Sequence, residues 1–143
     1  MMNKAQKVTI SYRVPYADTD QMRVVYYANY LAYFERARNE LMRTCGLTYR
    51  EFEAMGFALP VSEAVLHYHH PATYDDLLSI TAWVEQLKGV RMVIRCEVRR
   101  EEQMLVDGYT VHACVDIQRL RPVRLPAEVL ARLSGVMGES EHE

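Results

Sequence analysis

The chain has 143 residues, half of them hydrophobic and a quarter charged, and a formal net charge of -2. That is the size and balance of one globular domain with a core that needs no staples, and it excludes extensive disorder. Acids and bases are mixed along the chain, against the concentrated basic face of a nucleic-acid binder, and no run approaches the roughly 18 apolar residues of a membrane span.

Residues 7–16, K-V-T-I-S-Y-R-V-P-Y, put Val8, Ile10, Tyr12 and Val14 on one face, the period of a half-buried strand that Pro15 ends. The polar stretch A-D-T-D-Q-M-R follows as a loop. From about Tyr27 to Cys45 the period changes: Tyr30, Phe34, Ala37, Leu41 and Cys45 form a helical stripe, widened by Leu31, Tyr33 and Met42. Gly46 is placed to stop this helix. Thr48–Met55 reads as a short helix, with Thr48 and Glu51 forming a capping box and Gly56 at its end.

The remainder is mostly strand. Leu59–Tyr68 is the first, and P-A-T-Y-D-D after it is a turn-like break. Leu78–Gln86 and Met92–Arg99 alternate across a turn at Lys88-Gly89, and Met104–Ile117 is apolar enough to lie centrally. Leu125–Leu133 reads as a terminal helix. No linker divides the chain, so one domain is expected over 1–135, with 136–143 as a disordered tail. Runs of strands with short turns indicate an α+β class: a curved antiparallel sheet of five to six strands, in hairpin succession, wrapped around one long central helix.

Cys45, Cys96 and Cys114 are odd in number and widely spaced, which gives neither a disulfide framework nor a metal cluster; they read as small buried hydrophobes. The first residues, M-M-N-K-A-Q-K-V, lack the apolar stretch of a signal peptide, so a cytoplasmic setting without stable membrane insertion is expected. The common nucleophile, nucleotide and metal signatures are absent. A catalyst here must use carboxylates, histidines or backbone dipoles.

Y-A-D-T-D-Q-M-R-V-V-Y-Y-A-N-Y, residues 16–30, is the most suggestive stretch. Asp18 and Asp20 lie in the loop before the long helix. A helix N-terminus presents unpaired N–H groups and partial positive charge, which can polarise a carbonyl, and a nearby carboxylate can attack its carbon or activate water. A bare D-x-D is more often a turn or cap, because Asp is common in loops.

The segment D-T-D-Q-M-R-V-V-Y-Y-A-N-Y-L-A-Y-F-E-R-A-R resembles the signature of the 4-hydroxybenzoyl-CoA thioesterase family, in particular its Tol–Pal-associated acyl-CoA thioesterase branch. H-Y-H-H-P-A-T-Y-D-D-L-L at 67–78, A-C-V-D at 113–116 and R-P-V-R-L-P at 121–126 resemble the later blocks, in order. The resemblance spans roughly residues 7–133. It implies the hotdog fold and hydrolysis of an acyl-CoA, or of an acyl group on acyl carrier protein, without metal or cofactor. It also implies a homo-oligomer, a dimer or dimer of dimers, with sites between subunits.

Residue by residue, the resemblance implies that Asp20 is the catalytic carboxylate and that the Tyr27 backbone N–H meets the thioester oxygen. Asp18 falls to loop structure, and Tyr26 and Asn29 to the shaping of the substrate site. Two positions depart from the branch. Arg23 stands where Gly is usual, which bears on the loop conformation and charges the pocket mouth. Tyr27 stands where His is common.

Lys88 and Arg91, with Arg95, Arg99 and Arg100, make the hairpin near Gly89 basic and are candidates for the CoA phosphates. His67, His69 and His70 invite a metal reading but lack a defined third ligand, and His112 reads as structural. Glu35, on the helix, reads as a buried or interfacial salt-bridge partner of an arginine at least as readily as a catalytic group. Two other functions stay open: a non-catalytic hotdog that binds an acyl thioester or scaffolds a partner, and a dehydratase. The latter lacks its histidine in the loop before the helix.

Overall fold

The computed structural model describes residues 6–135; the tail expected at 136–143 lies outside them. The strands are β1 (Val8–Arg13), β2 (Phe57–Ala58), β3 (Val61–Tyr68), β4 (Leu77–Lys88), β5 (Arg91–Arg100), β6 (Gln103–Ala113), β7 (Val115–Asp116) and β8 (Arg121–Pro122). The α-helices are α1 (Asn29–Thr44), α2 (Tyr49–Ala54) and α3 (Ala127–Ser134). Strands β1, β4, β5, β6 and β3 form one antiparallel sheet in that order, and β2, β7 and β8 form a small second one. This is the α+β hotdog arrangement, with five strands in the main sheet.

Helix α1 packs on β1, β4 and β5. Its stripe Tyr30, Phe34, Ala37 and Leu41, with Tyr33 and Met42, is buried against Leu78, Ile80, Ala82 and Val84 of β4 and Met92, Ile94, Cys96 and Val98 of β5, whereas Cys45, expected to continue the stripe as a buried residue, caps the helix C-terminus and is only half-buried. Complete burial of a side chain such as Leu41 stabilises the fold by about 1.5–3 kcal/mol. The helix ends as its sequence directs. Gly46, at φ 76°, donates to the Arg43 carbonyl and Leu47 donates to that of Met42, the two bonds of a Schellman stop. Thr48 caps α2, its hydroxyl oxygen accepting the Glu51 N–H at 3.1 Å.

Four other expectations need correction. The helix starts at Asn29, so Tyr27 lies in the turn before it. Leu31, expected on the apolar side, is exposed, because α1 leaves its β3 flank uncovered. The long apolar run after Met104 breaks at Cys114, where the chain leaves β6 for β7 in the small sheet.

The fourth concerns topology. In the main sheet only β4, β5 and β6 follow one another as hairpins; β3 pairs with β6 at the far edge. The segment 69–76 is therefore a crossing over the end of the sheet and not a tight turn. Gly108 permits the β3–β6 pairing, since a Cβ there would collide with the Val65 carbonyl oxygen. One register row, Ile10–Ile80–Val98–Val106–Tyr68, runs across all five strands and carries Tyr68 to the edge of the inner face.

Candidate active site

The loop between β1 and α1 is tied down by Asp18. Its Oδ2 accepts the hydroxyls of Tyr12 and Tyr33, each at 2.7 Å. Its carbonyl oxygen accepts the Asn29 side-chain amide at 2.8 Å and the Tyr26 N–H at 2.9 Å. One residue thus joins strand, loop and helix. Burial, and then the Asp18 carboxylate, hold the Tyr33 hydroxyl far above its ordinary pKa. The Asn29 amide is engaged in this support.

Asp20 is half-buried at the start of a tight reversal. Its N–H donates to the Val24 carbonyl at 2.9 Å, and its own carbonyl accepts the Arg23 N–H at 2.9 Å. Oδ1 accepts the Met22 N–H at 2.9 Å, an Asx-type turn. Oδ2 has no hydrogen-bond partner among the described residues. Arg23 is exposed at φ 68°, so the chain takes here, with a side chain, the left-handed conformation that glycine would take freely.

Val25 is buried and leads into Tyr26 and Tyr27, whose rings lie 4.8 Å apart. The Tyr26 hydroxyl is raised above its ordinary pKa, first by its Tyr27 neighbour and least by the charge of Asp20. No described residue accepts the Tyr27 N–H, which stands free where the chain enters α1. A carboxylate with one open oxygen and an unpaired N–H at a helix entrance are the two parts an acyl transfer needs.

Tyr27 lines a cleft of about 270 Å³ with Val24, Val25, Tyr30, Tyr68, His69, His70 and Pro71; Asp20, Arg23, Tyr26 and Asn29 are not among its lining residues. Its aromatic wall is ordered. The Tyr68 ring packs on Tyr30 at 5.7 Å and on Tyr27 at 6.3 Å, and its hydroxyl donates to the Tyr27 carbonyl at 3.2 Å. Of the lining residues, sequence reasoning named Tyr27 alone as a site residue; it missed Val24, Val25, Tyr30, Tyr68, His69, His70 and Pro71. The signal was present in H-Y-H-H-P, but its partner, the entrance to α1, is distant in sequence.

Lys88 and Arg91 face each other at the far hairpin, on a row that reaches Ala113. The cleft is level with Val106 of the same strand, and seven residues of strand rise separate the two by roughly 23 Å. Within one chain the structure does not bring these cations to Asp20. Arg100 is nearer, but its guanidinium is engaged by Asp76, at 2.6 Å, and by Gln103. His69 pairs with Asp107 at 2.6 Å, and among the described residues no three potential metal ligands gather. His112 is fully buried, its ring joined to the Leu59 carbonyl and the Thr110 hydroxyl. Glu35 is exposed and makes no ion pair among the described residues.

The sequence pattern of the thioesterase-like superfamily matches residues 14–133, which contain the acid loop, the cleft and the whole sheet after β1. The chain belongs to this superfamily. Among its relatives, the acyl-CoA thioesterase YbgC of Haemophilus influenzae is 38% identical over 83% of this chain and 88% of its own length. The acyl-CoA thioester hydrolase YbgC of Escherichia coli O6:H1 is 33% identical over 83% and 90%. The crystal structure of a Thermus thermophilus protein, TT1821, superposes with a TM-score of 0.86 at 32% identity, covering 90% of this chain and 98% of that one. The thioesterase-like superfamily is thus joined over nearly the full domain, by sequence and by fold. No helix among the described residues is long and apolar enough to cross a membrane.

Proposed function

We propose that this chain is an acyl-CoA thioesterase, releasing a free acid and CoA, with Asp20 as the catalytic carboxylate and the Tyr27 N–H as the oxyanion donor. The observation that carries this is the Tyr27 N–H, which has no acceptor among the described residues at the entrance to α1, on a residue that lines an apolar cleft; Asp20, with one open oxygen, lies in the loop that leads to it. The names of the YbgC relatives support the acyl-CoA substrate.

The acyl group enters the tyrosine-lined cleft with its carbonyl oxygen on the Tyr27 N–H. The helix entrance stabilises the negative charge that grows on that oxygen. Asp20 either attacks the carbonyl carbon or removes a proton from the water that does. On the first route an Asp20–acyl anhydride forms as the C–S bond breaks, and water then cleaves it to acid and free carboxylate. On the second, water adds to the carbonyl carbon as Asp20 takes its proton, the C–S bond then breaks, and that proton passes to the departing thiolate. The thiol is a good leaving group, with a pKa near 8.5 against about 15.7 for water. Tyr26 borders the site, Asn29 holds it through Asp18, and Arg23 sets the charge at its mouth. Acyl carrier protein is the second possible donor of the acyl group.

We place the site between subunits. Support comes from β3, whose outer edge is unpaired among the described residues, and from the uncovered flank of α1 beside it. Leu31, Ala32, Val61 and Ala64, with Glu35, Arg38 and Thr110, line a groove of about 300 Å³ there, which a second copy would cover when its own β3 pairs antiparallel on this edge. In such a dimer, or a dimer of dimers, Lys88 and Arg91 of one copy are free to serve the CoA phosphates of another. A cytoplasmic setting accords with three unpaired cysteines and an acyl-CoA substrate.

The test is thiol release from acyl-CoAs running from short aliphatic to long aliphatic to aromatic, with wild type beside Asp20→Asn. Hydrolysis that the variant loses, with its fold intact, supports the assignment. Undiminished turnover in the variant overturns it. Binding without turnover in the wild type selects the non-catalytic alternative. Sedimentation velocity on the same protein reads the oligomer.

A further inference from the structure

The crossing segment 69–76 supplies one wall of the cleft, and it also braces the acid loop from outside. The Val25 N–H donates to the Ala72 carbonyl at 2.8 Å, and Val24 forms an antiparallel bridge with Thr73. On the other side Val14 donates to the Asp76 carbonyl at 2.9 Å and accepts the Asp75 N–H at 2.9 Å. The Ala72 N–H donates to the buried Tyr30 hydroxyl at 3.3 Å. Residues 72–76 are a splint between the end of β1 and residues 24–25.

One oxygen fixes the splint. Asp76 Oδ2 accepts the Thr73 N–H at 2.8 Å, the Thr73 hydroxyl at 3.2 Å and Arg100 Nη1 at 2.6 Å. Arg100 ends β5, and from that rigid position Nη1 also reaches the Pro71 carbonyl at 3.4 Å while Nη2 holds Gln103 at 2.8 Å. An exposed ion pair contributes little by itself. This carboxylate is mostly shielded, and its first donor is a backbone N–H, so it sets the path of the chain.

We infer that Asp76 and Arg100 are positioning residues for Asp20. Arg100 orients Asp76 and Asp76 fixes Thr73. Thr73 is bridged to Val24, and the Val24 carbonyl accepts the Asp20 N–H at 2.9 Å. The inference rests on Asp20 being the catalytic carboxylate. It gives the P-A-T-Y-D-D block a task in the reaction: its final Asp holds the acid at the carbonyl carbon. A displacement near 1 Å at a reacting group lowers turnover on the order of 100-fold, so this connection matters to rate.

The experiment measures steady-state thiol release for wild type, Arg100→Gln, Arg100→Lys, Asp76→Asn, Asp20→Asn and the double variant Asp20→Asn/Arg100→Gln, on the acyl-CoA that wild type hydrolyses best. Arg100→Gln and Asp76→Asn are expected to lower kcat about 10- to 100-fold, with KM within about threefold and the circular dichroism spectrum unchanged. Arg100→Lys, which keeps the charge, recovers part of the rate. On the residual rate that the oxyanion donor and binding leave to Asp20→Asn, Arg100→Gln has no further effect, because its action runs through the missing carboxylate. Wild-type kcat in Arg100→Gln, or the same loss on both backgrounds, overturns the positioning role. Should Arg100→Gln not fold, Asp76→Asn stands in for it, and wild-type kcat in that variant overturns the positioning role. A wild type that releases no thiol overturns the functional reading itself, and this inference with it.

Discussion

The Asp18 carboxylate accepts the hydroxyl of the buried Tyr33 at 2.7 Å, joining the acid loop to the second turn of the central helix. Hydrogen bonds to charged groups contribute about 1.5–3 kcal/mol, so Tyr33→Phe is expected to cost about 2 kcal/mol. Urea denaturation checks this. The cost should shrink in Asp18→Ala, since the partner is then already gone.

Arg23 holds a left-handed backbone at φ 68°. That conformation costs a non-glycine residue about 1–2 kcal/mol, partly offset by glycine's greater freedom in the unfolded chain. Arg23→Gly should therefore exceed Arg23→Ala in stability by about 1 kcal/mol, because both lose the guanidinium and only one loses the strain. Equal unfolding midpoints would show that the loop is not strained at this residue.

Gly108 lies where β6 meets β3, and a methyl group there has no space beside the Val65 carbonyl. Gly108→Ala is expected to destabilise by about 3 kcal/mol or more, or to release β3 from the sheet. Amide hydrogen exchange across 61–68 separates the two outcomes: local release exposes β3 alone.

Burial, mainly, lowers the His112 pKa from 6.5 to about 4. Between these values the unfolded chain binds a proton that the folded chain refuses, so stability rises with pH. Its contribution is complete above pH 6.5 and is lost as pH falls toward 4, amounting to ~3 kcal/mol. Urea midpoints from pH 7 to pH 4 should fall, and the slope should flatten in His112→Gln if that variant folds. Asp76 adds loss at lower pH. Its burial pushes the carboxyl up, but the Thr73 N–H and Arg100 outweigh this, so its folded pKa lies below the ordinary 3.8. That contribution is present above the ordinary value and disappears as pH falls through the depressed one.

The parts of this fold that were legible in the sequence are those governed by neighbours. The α1 stripe, the glycine stop at Gly46 and the Thr48 cap follow from residues within a turn or two of each other, and each forms. The exposed Leu31 and the pairing of β3 with β6 depend on which surfaces remain uncovered, which local periodicity does not encode. The site divides the same way. Asp18, Asp20 and Tyr27 lie in one continuous stretch and could be read together. Tyr68, Pro71, Asp76 and Arg100 come to them only through the sheet.

The crossing of segment 69–76 has a consequence for the order in which the protein comes into being. The acid loop is complete in sequence by Tyr27, but its brace requires Ala72 and Thr73, and their anchor requires Arg100. Edge strand β3 waits for β6, its partner near the end of the chain. A chain still emerging from the ribosome therefore carries its acid without a fixed address, and such long-range pairings form slowly. The geometry of the loop that carries Asp20 is therefore a property of the finished sheet and not of the segment that encodes it.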